Sequence, residues 1–394
     1  MSPDAKLPVT HSTLSARWAI LLAACSTRSD SDKEKRAILR PLLQQEVEWE
    51  TLVDLADRHG VAPLLYHTLS SLQLPIPSDK LRNLRDNYHR NLHKSLFLSR
   101  ELIRILEHIE ALGLEIMPYK GLALAESVYG DIALRQTGDI DLLIRPQDVS
   151  RVSAAVRDLG YTPNATLSPA EQHAYLKSGY ELSFDGEAGP NLLEVQWGIQ
   201  PRFYAVDYDM AGLFQRAVMT NIAGHSAKTP STEDLILILS LHAAKHVWGR
   251  LIWLRDVAQM IAMPALNWQW IEAQARELGV ARILAVTLLL ACDLLNAEIP
   301  AGAQNLIRDA GASALVFQVR GQIMSEAVYD VESSDYFRLM ISLRERQSDR
   351  LRFLQRLLLT PGPSEWKAVK LPAPLFPLYR AVRLWRLAKR VAQI

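Results

Sequence analysis

The 394-residue sequence predicts an α+β protein, in which a small mixed-sheet core domain is flanked by N- and C-terminal helical domains. Three observations lead to this fold class. Apolar residues repeat at helical spacing before residue 113 and again after about residue 205. Between them, short apolar runs that are typical of strands alternate with helical patterns. The apolar and charged fractions, 49% and 22%, are those of an ordinary globular protein.

Residues 1–112 are predicted to form a helical N-terminal domain. Two helices cover residues 48–59 and 62–72, and each ends at glycine or proline. A third, long helix begins near Ser78, carries one apolar stripe and ends at Gly113.

Residues 113–204 are predicted to form the α/β core domain. In chain order we expect a strand at 114–119, a helix at 122–129, a strand at 139–144, a helix from 146 to 160, and strands at 180–184 and 191–199. The last two strands are separated by the turn-rich residues 185–190.

The chain after residue 205 is predicted to be helical, with one domain over 205–335 and a C-terminal region over 336–394 that prolines interrupt. Ser231 is expected to cap a helix, with Asp234 at the capping-box position. The helices are expected at 235–248, 251–262, 268–278, 281–296 and 303–328.

Charge and cysteine content exclude several classes of protein. The formal net charge is +1, so there is no overall basic footprint for a polyanion, and we expect no nucleic-acid partner. Cys25 and Cys292 lie far apart without a partner motif, which argues against a disulfide framework and a cysteine-based zinc site. Neither a signal peptide nor an apolar run long enough to span a bilayer is recognised, so a cytoplasmic protein is expected.

Two aspartates open the strand predicted at residues 139–144. Side chains in a strand alternate between faces, so Asp139 and Asp141 are expected on one face, with Cα atoms roughly 6.5–7 Å apart. This span suits a pair of divalent cations. Carboxylates at the mouth of a buried strand are costly unless something binds them, which indicates phosphoryl or nucleotidyl chemistry. Exposed acids at the start of a strand are the alternative.

Three further features of the core domain bear on the same chemistry. Lys120 and Gly121 lie at a strand-to-helix turn, where backbone N–H groups favour anions and the lysine adds a positive charge. Arg135 precedes the acidic strand, and arginine suits bidentate phosphate contacts. Glu194 lies inside an apolar strand, where a carboxylate needs a partner or a metal ion. The simpler alternatives are an exposed lysine at a turn, a surface arginine, and an edge strand with Glu194 facing solvent.

Together these residues resemble the nucleotidyltransferase superfamily typified by DNA polymerase β, and more specifically the family of uncharacterised bacterial nucleotidyltransferases. The segments that carry the resemblance are residues 120–124, 135–144 and 193–197 of the core domain, with 61–65, 241–248 and 253–256 outside it. The sequence departs from the family pattern at two places. Lys120-Gly121 stands where Gly-Ser or Gly-Gly is usual, and Gln196 stands where the family usually has histidine.

The resemblance implies a nucleotidyltransferase-like core and Mg²⁺-dependent transfer of a nucleoside monophosphate from an NTP to a small-molecule, sugar-phosphate or peptide acceptor. The catalytic residues and ligands of two Mg²⁺ ions would be Asp139, Asp141 and Glu194, and the nucleotide-binding residues would be Lys120, Gly121 and Arg135. A catalytically inactive module that binds a nucleotide or a partner is one alternative.

His242 and His246 are four residues apart on a predicted helix and therefore share a face. The spacing is that of metal ligands, but Ala243 stands where the His-Glu-x-x-His motif has its glutamate. We expect His242, Lys245 and His246 to line a substrate pocket, with Asp256 orienting a histidine. A His-centred metal hydrolase built on His242, His246 and Asp256 is the second alternative function.

The segment 377–394 carries five basic residues and no acidic one. A basic amphipathic helix can lie on an anionic membrane or dock onto a partner protein, and a solvated face is the alternative. The sequence therefore leaves open a peripheral location at the inner face of the membrane.

Overall fold

The computed structural model describes residues 15–27, 32–187, 189–308, 310–325, 330 and 333–392, and within this part of the chain it confirms an α+β fold. The last two residues of the basic tail, 393–394, lie outside the described residues. The N-terminal helices are α1 (Ala16–Cys25), α2 (Asp32–Leu43), α3 (Trp49–Arg58), α4 (Ala62–Ser71) and α5 (Ser78–Ala111).

The central elements follow in the order β1 (Ile116–Pro118), α6 (Gly121–Tyr129), β2 (Ile140–Ile144), α7 (Val149–Asp158), β3 (Thr162–Pro163), α8 (Pro169–Ser178), β4 (Glu181–Gly186) and β5 (Gly189–Gln196). The strands form one mixed sheet in the order β1-β2-β5-β4-β3. β2 and β5 are parallel, and the other neighbouring strands are antiparallel.

The remaining elements are α9 (Met210–Gln215), β6 (Val218–Ile222), β7 (His225–Thr229), α10 (Thr232–Lys245), α11 (Leu251–Ile261), α12 (Trp268–Glu277), α13 (Ala281–Leu295), α14 (Gln304–Ile307), α15 (Ala310–Ser325), α16 (Ser334–Ser342), α17 (Gln347–Leu359), α18 (Pro363–Ala368) and α19 (Tyr379–Ala392). As predicted, the Ser231 hydroxyl caps α10 by accepting a hydrogen bond from the Asp234 backbone N–H at 3.2 Å.

Alternation along β2 divides its side chains between two cores. Ile140, Leu142 and Ile144 pack into a core with the C-terminal half of α5 and with α7. Leu143 points to the other face and joins a larger core, built from the N-terminal helices together with α10, α11, α13 and the helices after them. The predicted first and third domains therefore share one core, and their separation into domains stays a prediction.

Two sequence predictions about elements are wrong, and one alternative is excluded. The chain after residue 205 is not purely helical, because β6 and β7 form a hairpin around Ala223 and Gly224, both at positive φ. The residues predicted as the turn between β4 and β5 belong largely to the strands. β5 lies between β2 and β4, so Glu194 does not lie on an edge strand.

Among the described residues, no helix combines the length and the apolar character needed to cross a membrane.

Candidate active site

Asp141 and Glu194 lie in register on the two parallel strands at the centre of the sheet. Their neighbours Leu142 and Val195 point to the opposite face and are fully buried. Alternation therefore places both carboxylates on one face, where they line a cavity of about 360 Å³.

Asp139 reaches the same cavity from a different backbone position than expected. It lies in a bend just before β2, so the alternation of a strand does not set its direction. Even so, Asp139 lines the cavity together with Asp141 and Glu194. The structure thus gathers all three carboxylates that the sequence singled out.

Lys120 is not an exposed lysine at a turn. Its side chain is 11% exposed, and its Nζ lies 2.9 Å from Asp141 Oδ1. Burial alone would lower the pKa of Lys120, but the nearby charges of Asp141 and Glu194 outweigh it and hold that pKa well above its usual value. Lys120 is therefore a positive charge fixed among the carboxylates.

Gly121 brings the start of α6 against the acidic loop. Its φ is +46°, and a β-carbon at this position would lie 2.9 Å from Thr137 Cγ2 and 3.3 Å from the Asp139 carbonyl oxygen. Glycine is needed here both for the backbone conformation and for the close approach of the two segments. Its backbone lines the cavity.

Arg135 is a buried residue rather than a surface one, and its main partner is Asp256. Its Nη2 donates to Asp256 Oδ2 at 2.8 Å and its Nε to Asp256 Oδ1 at 3.0 Å, while Nη1 lies 3.4 Å from the Gly121 carbonyl. Tyr129 also donates to Asp256, at 2.8 Å. The expectation that Asp256 orients a histidine is wrong, because its carboxylate binds Arg135 and Tyr129.

Gln196 links the acidic residues through its amide. Its Nε2 donates to Glu194 Oε2 at 2.8 Å and lies 3.4 Å from Asp141 Oδ1. Its Oε1 accepts a hydrogen bond from the Tyr119 hydroxyl. The residue that departs from the family pattern therefore belongs to the hydrogen-bond network of the cavity.

His242, Lys245 and His246 line the cavity from the end of α10, and their role in a substrate pocket stays a prediction. The rings of His242 and His246 are 4.9 Å apart, and the Trp253 ring lies 5.1 and 5.3 Å from them. Burial, together with Lys120 and Lys245, lowers the pKa of His242 well below its usual value and that of His246 to about 3. Both imidazoles are therefore neutral at pH 7.

The cavity is also lined by residues that the sequence analysis did not group with the site. These are Tyr119, Tyr180, Glu181 and Arg250. They come from segments that no spacing rule connects, and the packing of α10 and α11 over the sheet brings them together. The tyrosines that directly precede Lys120 and Glu181 were the available signal.

Two carboxylates of the cavity, Asp139 and Glu194, have raised pKa values. Burial and the charge of Asp141 raise the pKa of Asp139 to about 6. Burial and the charges of Asp141 and Glu181 raise the pKa of Glu194 to about 8. A cation placed among these groups would relieve the repulsion.

The donor set fits Mg²⁺ in its chemistry, since hard carboxylate oxygens are the ligands this ion takes. Among the described residues, however, no three His, Cys, Asp or Glu side chains are placed as a ready-made metal site. Asp141 instead has the Lys120 ammonium as its counter-ion. The assignment of Asp139, Asp141 and Glu194 as Mg²⁺ ligands stays a prediction, and it requires the ammonium of Lys120 to withdraw from Asp141.

Comparisons with known proteins agree with this architecture at the level of a family. A family model described as uncharacterised nucleotidyltransferase matches residues 45–296. The chain is also similar to a crystal structure of an antigenic nucleotidyltransferase-like protein from Paracoccidioides brasiliensis. The aligned region covers 52% of this chain and 95% of the other, with 17% sequence identity and a TM-score of 0.31. No curated protein matches the chain significantly.

Proposed function

The chain belongs to the uncharacterised nucleotidyltransferase family, and from this premise we propose that it transfers a nucleoside monophosphate from an NTP to the hydroxyl group of an acceptor. The observation that carries the proposal is the grouping of Asp139, Asp141, Glu194 and Lys120 in one cavity at the centre of the sheet. Such a cluster binds a polyphosphate and its cations, and it has no evident role in stabilising the fold.

In the proposed reaction the acceptor oxygen forms a bond to the α-phosphorus, and the bond from that phosphorus to the pyrophosphate breaks. Mg²⁺ held by Asp139, Asp141 and Glu194 would neutralise the negative charge of the phosphates. Lys120 moves its ammonium from Asp141 to the triphosphate, and the backbone of Gly121 approaches the phosphates closely. Arg135 contacts the phosphates through Nη1, because its Nε and Nη2 are bound to Asp256.

Glu194 receives the proton of the acceptor hydroxyl. The Gln196 amide, 2.8 Å from Glu194 Oε2, holds the carboxylate in place.

The proposal is tested by binding and turnover with each of the four NTPs in the presence of Mg²⁺ or Mn²⁺. We expect one NTP to bind and to release pyrophosphate when a pool of acceptors is supplied. Asp139→Asn and Asp141→Asn should lower the rate by roughly 10² or more, since each removes a charge that acts on the phosphates. Asp158→Asn, an exposed aspartate of the same domain, should leave the rate unchanged.

The same experiment separates the alternatives. Binding without pyrophosphate release from any acceptor would favour a nucleotide-binding module, and absence of binding by the wild-type chain would refute the proposal. Stoichiometric zinc that is lost in His242→Ala would instead favour the hydrolase. That alternative has lost one of its three residues, because Asp256 is bound to Arg135 and Tyr129.

A further inference from the structure

A second cavity, of about 350 Å³, lies beside the candidate active site and shares a wall with it. Tyr180, Lys245 and His246 line both cavities. The wall is held by hydrogen bonds, from Lys245 Nζ to the Tyr180 hydroxyl and from the Tyr336 hydroxyl to the Lys245 carbonyl at 3.0 Å. These shared side chains therefore separate the second cavity from the cavity that the carboxylates line.

The body of the second cavity suits an apolar ring. Six of the described residues that line it are aromatic, among them Phe203, Tyr204 and Phe337, and prolines and leucines supply much of the remaining wall. A small-molecule site typically has a volume of about 300–1,000 Å³ and is mostly apolar, with a few polar groups that orient the ligand. The size and lining thus fit a small molecule rather than a polymer.

The charged groups of this cavity carry an excess of positive charge. Its described lining includes Lys245, Arg383 and Arg386 as cations and Glu365 as the one carboxylate. Glu365 is buried, and it accepts hydrogen bonds from Arg386 at 2.8 Å and from Arg383 at 3.3 Å. The end of the cavity formed by α18 and α19 thus presents two guanidinium groups beside one carboxylate among the described lining residues, a pairing that suits an acid group.

We propose that this second cavity binds the acceptor of the nucleotidyl group, a small hydroxy acid with an apolar ring. Its acid group lies towards Arg383 and Arg386, and its hydroxyl passes Tyr180 into the candidate active site. This inference rests on the proposed function, because the hydroxyl oxygen bonds to the α-phosphorus, pyrophosphate leaves, and the proton passes to Glu194. No oxidant or further reactant is needed.

The test uses the full chain and 1-anilinonaphthalene-8-sulfonate, an aromatic anion whose fluorescence rises in apolar sites. Competitors are 4-hydroxyphenylacetate and its neutral amide, which differ in one charge. Phe337→Ala removes an aromatic part of the wall, with the exposed Phe317→Ala as its matched control. Arg386→Gln removes a cation but leaves Arg383 on the buried Glu365, and the exposed Arg380→Gln on the same helix is its control.

We expect one saturable probe site, with a dissociation constant that rises at least threefold in Phe337→Ala and is unchanged in Phe317→Ala. The acid should displace the probe at a concentration at least threefold lower than the amide does. This preference should vanish in Arg386→Gln and persist in Arg380→Gln. Equal displacement by acid and amide in the wild-type chain, or no difference between Phe337→Ala and Phe317→Ala, would overturn the inference.

NTP binding by the same variants separates this inference from the proposed function. If the NTP binds and the probe pattern fails, the acceptor site is wrong and the proposed function stands. If the probe pattern holds and no NTP binds the wild-type chain, the proposed function and the acceptor role fail together, and only a hydroxy-acid site remains.

Discussion

The Lys120 ammonium lies 2.9 Å from Asp141 Oδ1, where the proposed metal ion would bind, so we expect this one residue to affect both metal and nucleotide binding. In Lys120→Gln, Asp141 loses its counter-ion and becomes available to a cation. We expect Mn²⁺ alone to bind roughly tenfold more tightly and the NTP, measured without metal, to bind roughly tenfold more weakly. Electron paramagnetic resonance of free Mn²⁺ and equilibrium dialysis of labelled NTP measure the two effects.

The control for Lys120→Gln is Lys177→Gln, which removes an exposed lysine that does not line the cavity. Both affinities should stay at their wild-type values in this variant. An unchanged Mn²⁺ affinity in Lys120→Gln would mean that the lysine does not compete with the cation.

The raised pKa of Glu194 makes the stability of the metal-free chain fall as the pH rises. The folded chain keeps the Glu194 proton up to a pKa of about 8, whereas the unfolded chain loses it near the ordinary glutamate pKa of 4.5. Between these values the folded state binds more protons than the unfolded state, so stability decreases with pH and the loss is complete above pH 8. Asp139, with a pKa of about 6, acts in the same direction at lower pH.

Glu194→Gln should remove part of this loss, because glutamine has no proton to release. With EDTA present, we expect the melting temperature of Glu194→Gln to exceed that of the wild-type chain more at pH 9 than at pH 5. Exposed Glu187→Gln should show no such divergence. If the melting temperatures of Glu194→Gln and the wild-type chain differ by the same amount at pH 5 and pH 9, the raised pKa of Glu194 is contradicted.

At the scale of elements, the turn between β1 and α6 depends on glycine for two separable reasons. Gly121 and Gly130 both have positive φ, +46° and +69°, but only at Gly121 would a β-carbon collide with neighbouring atoms. Gly121→Ala should therefore lower the free energy of unfolding by roughly 1–3 kcal/mol more than Gly130→Ala, in which only the backbone conformation is strained. Urea unfolding of the two variants measures the difference, and equal costs would show that Thr137 and Asp139 yield without strain.

The basic tail is only partly exposed. Arg383 and Arg386 of α19 bind Glu365, whereas Trp385 is 61% exposed and Leu378 is 52% exposed. Contact of this helix with an anionic membrane stays a prediction. An exposed tryptophan beside basic residues favours such a contact. We expect the chain to sediment with phosphatidylserine vesicles and Trp385→Ser to sediment less, while Leu351→Ser, which removes another exposed apolar residue, does not. Sedimentation that is equal in all three would exclude this helix as the contact.

Long periodic elements could be predicted from the sequence, and short polar ones could not. The apolar stripe of α5 and the buried run of β2 each place many side chains in a core, so their patterns are strong. The β6–β7 hairpin buries only a few apolar side chains, such as Ile222 and Ala227, and its pattern is too weak to distinguish it from a loop. The three carboxylates could be named because acids beside apolar strand residues are costly, whereas the partner of Arg135 lies 121 residues away and has no local signal.

At the scale of the whole molecule, two cores meet at the sheet, and α5 runs through both. Leu84 near its start belongs to the larger core, and Leu98 to Ile109 belong to the smaller one. The candidate active site lies where α10 and α11 of the larger core cover the sheet. Its geometry therefore depends on the contacts that fix these helices to the loop before β2.

The Arg135–Asp256 pair is one of these contacts. It joins the loop before β2 to α11, and Asp256 is fully buried. Asp256→Asn leaves the Arg135 charge buried without its partner, so we expect a loss of about 3–5 kcal/mol in the free energy of unfolding. Arg135→Met combined with Asp256→Leu removes both charges and should recover most of that loss. Denaturant unfolding measures all three chains, with Glu272→Gln, which breaks an exposed pair within α12, as the control at about 0–1 kcal/mol.

The double variant also separates the structural role of this pair from a role in binding. If Arg135 acts only by fixing α11 to the sheet, the stable double variant should bind the NTP as the wild-type chain does. If Nη1 of Arg135 contacts phosphate, the double variant should recover stability but bind the NTP roughly tenfold more weakly or worse, as expected for loss of a charge-assisted hydrogen bond. We expect the second result, because Arg135 lines the cavity while its Nε and Nη2 hold Asp256. Full NTP affinity in the double variant would remove Arg135 from the nucleotide site and leave it as a residue that joins the two cores.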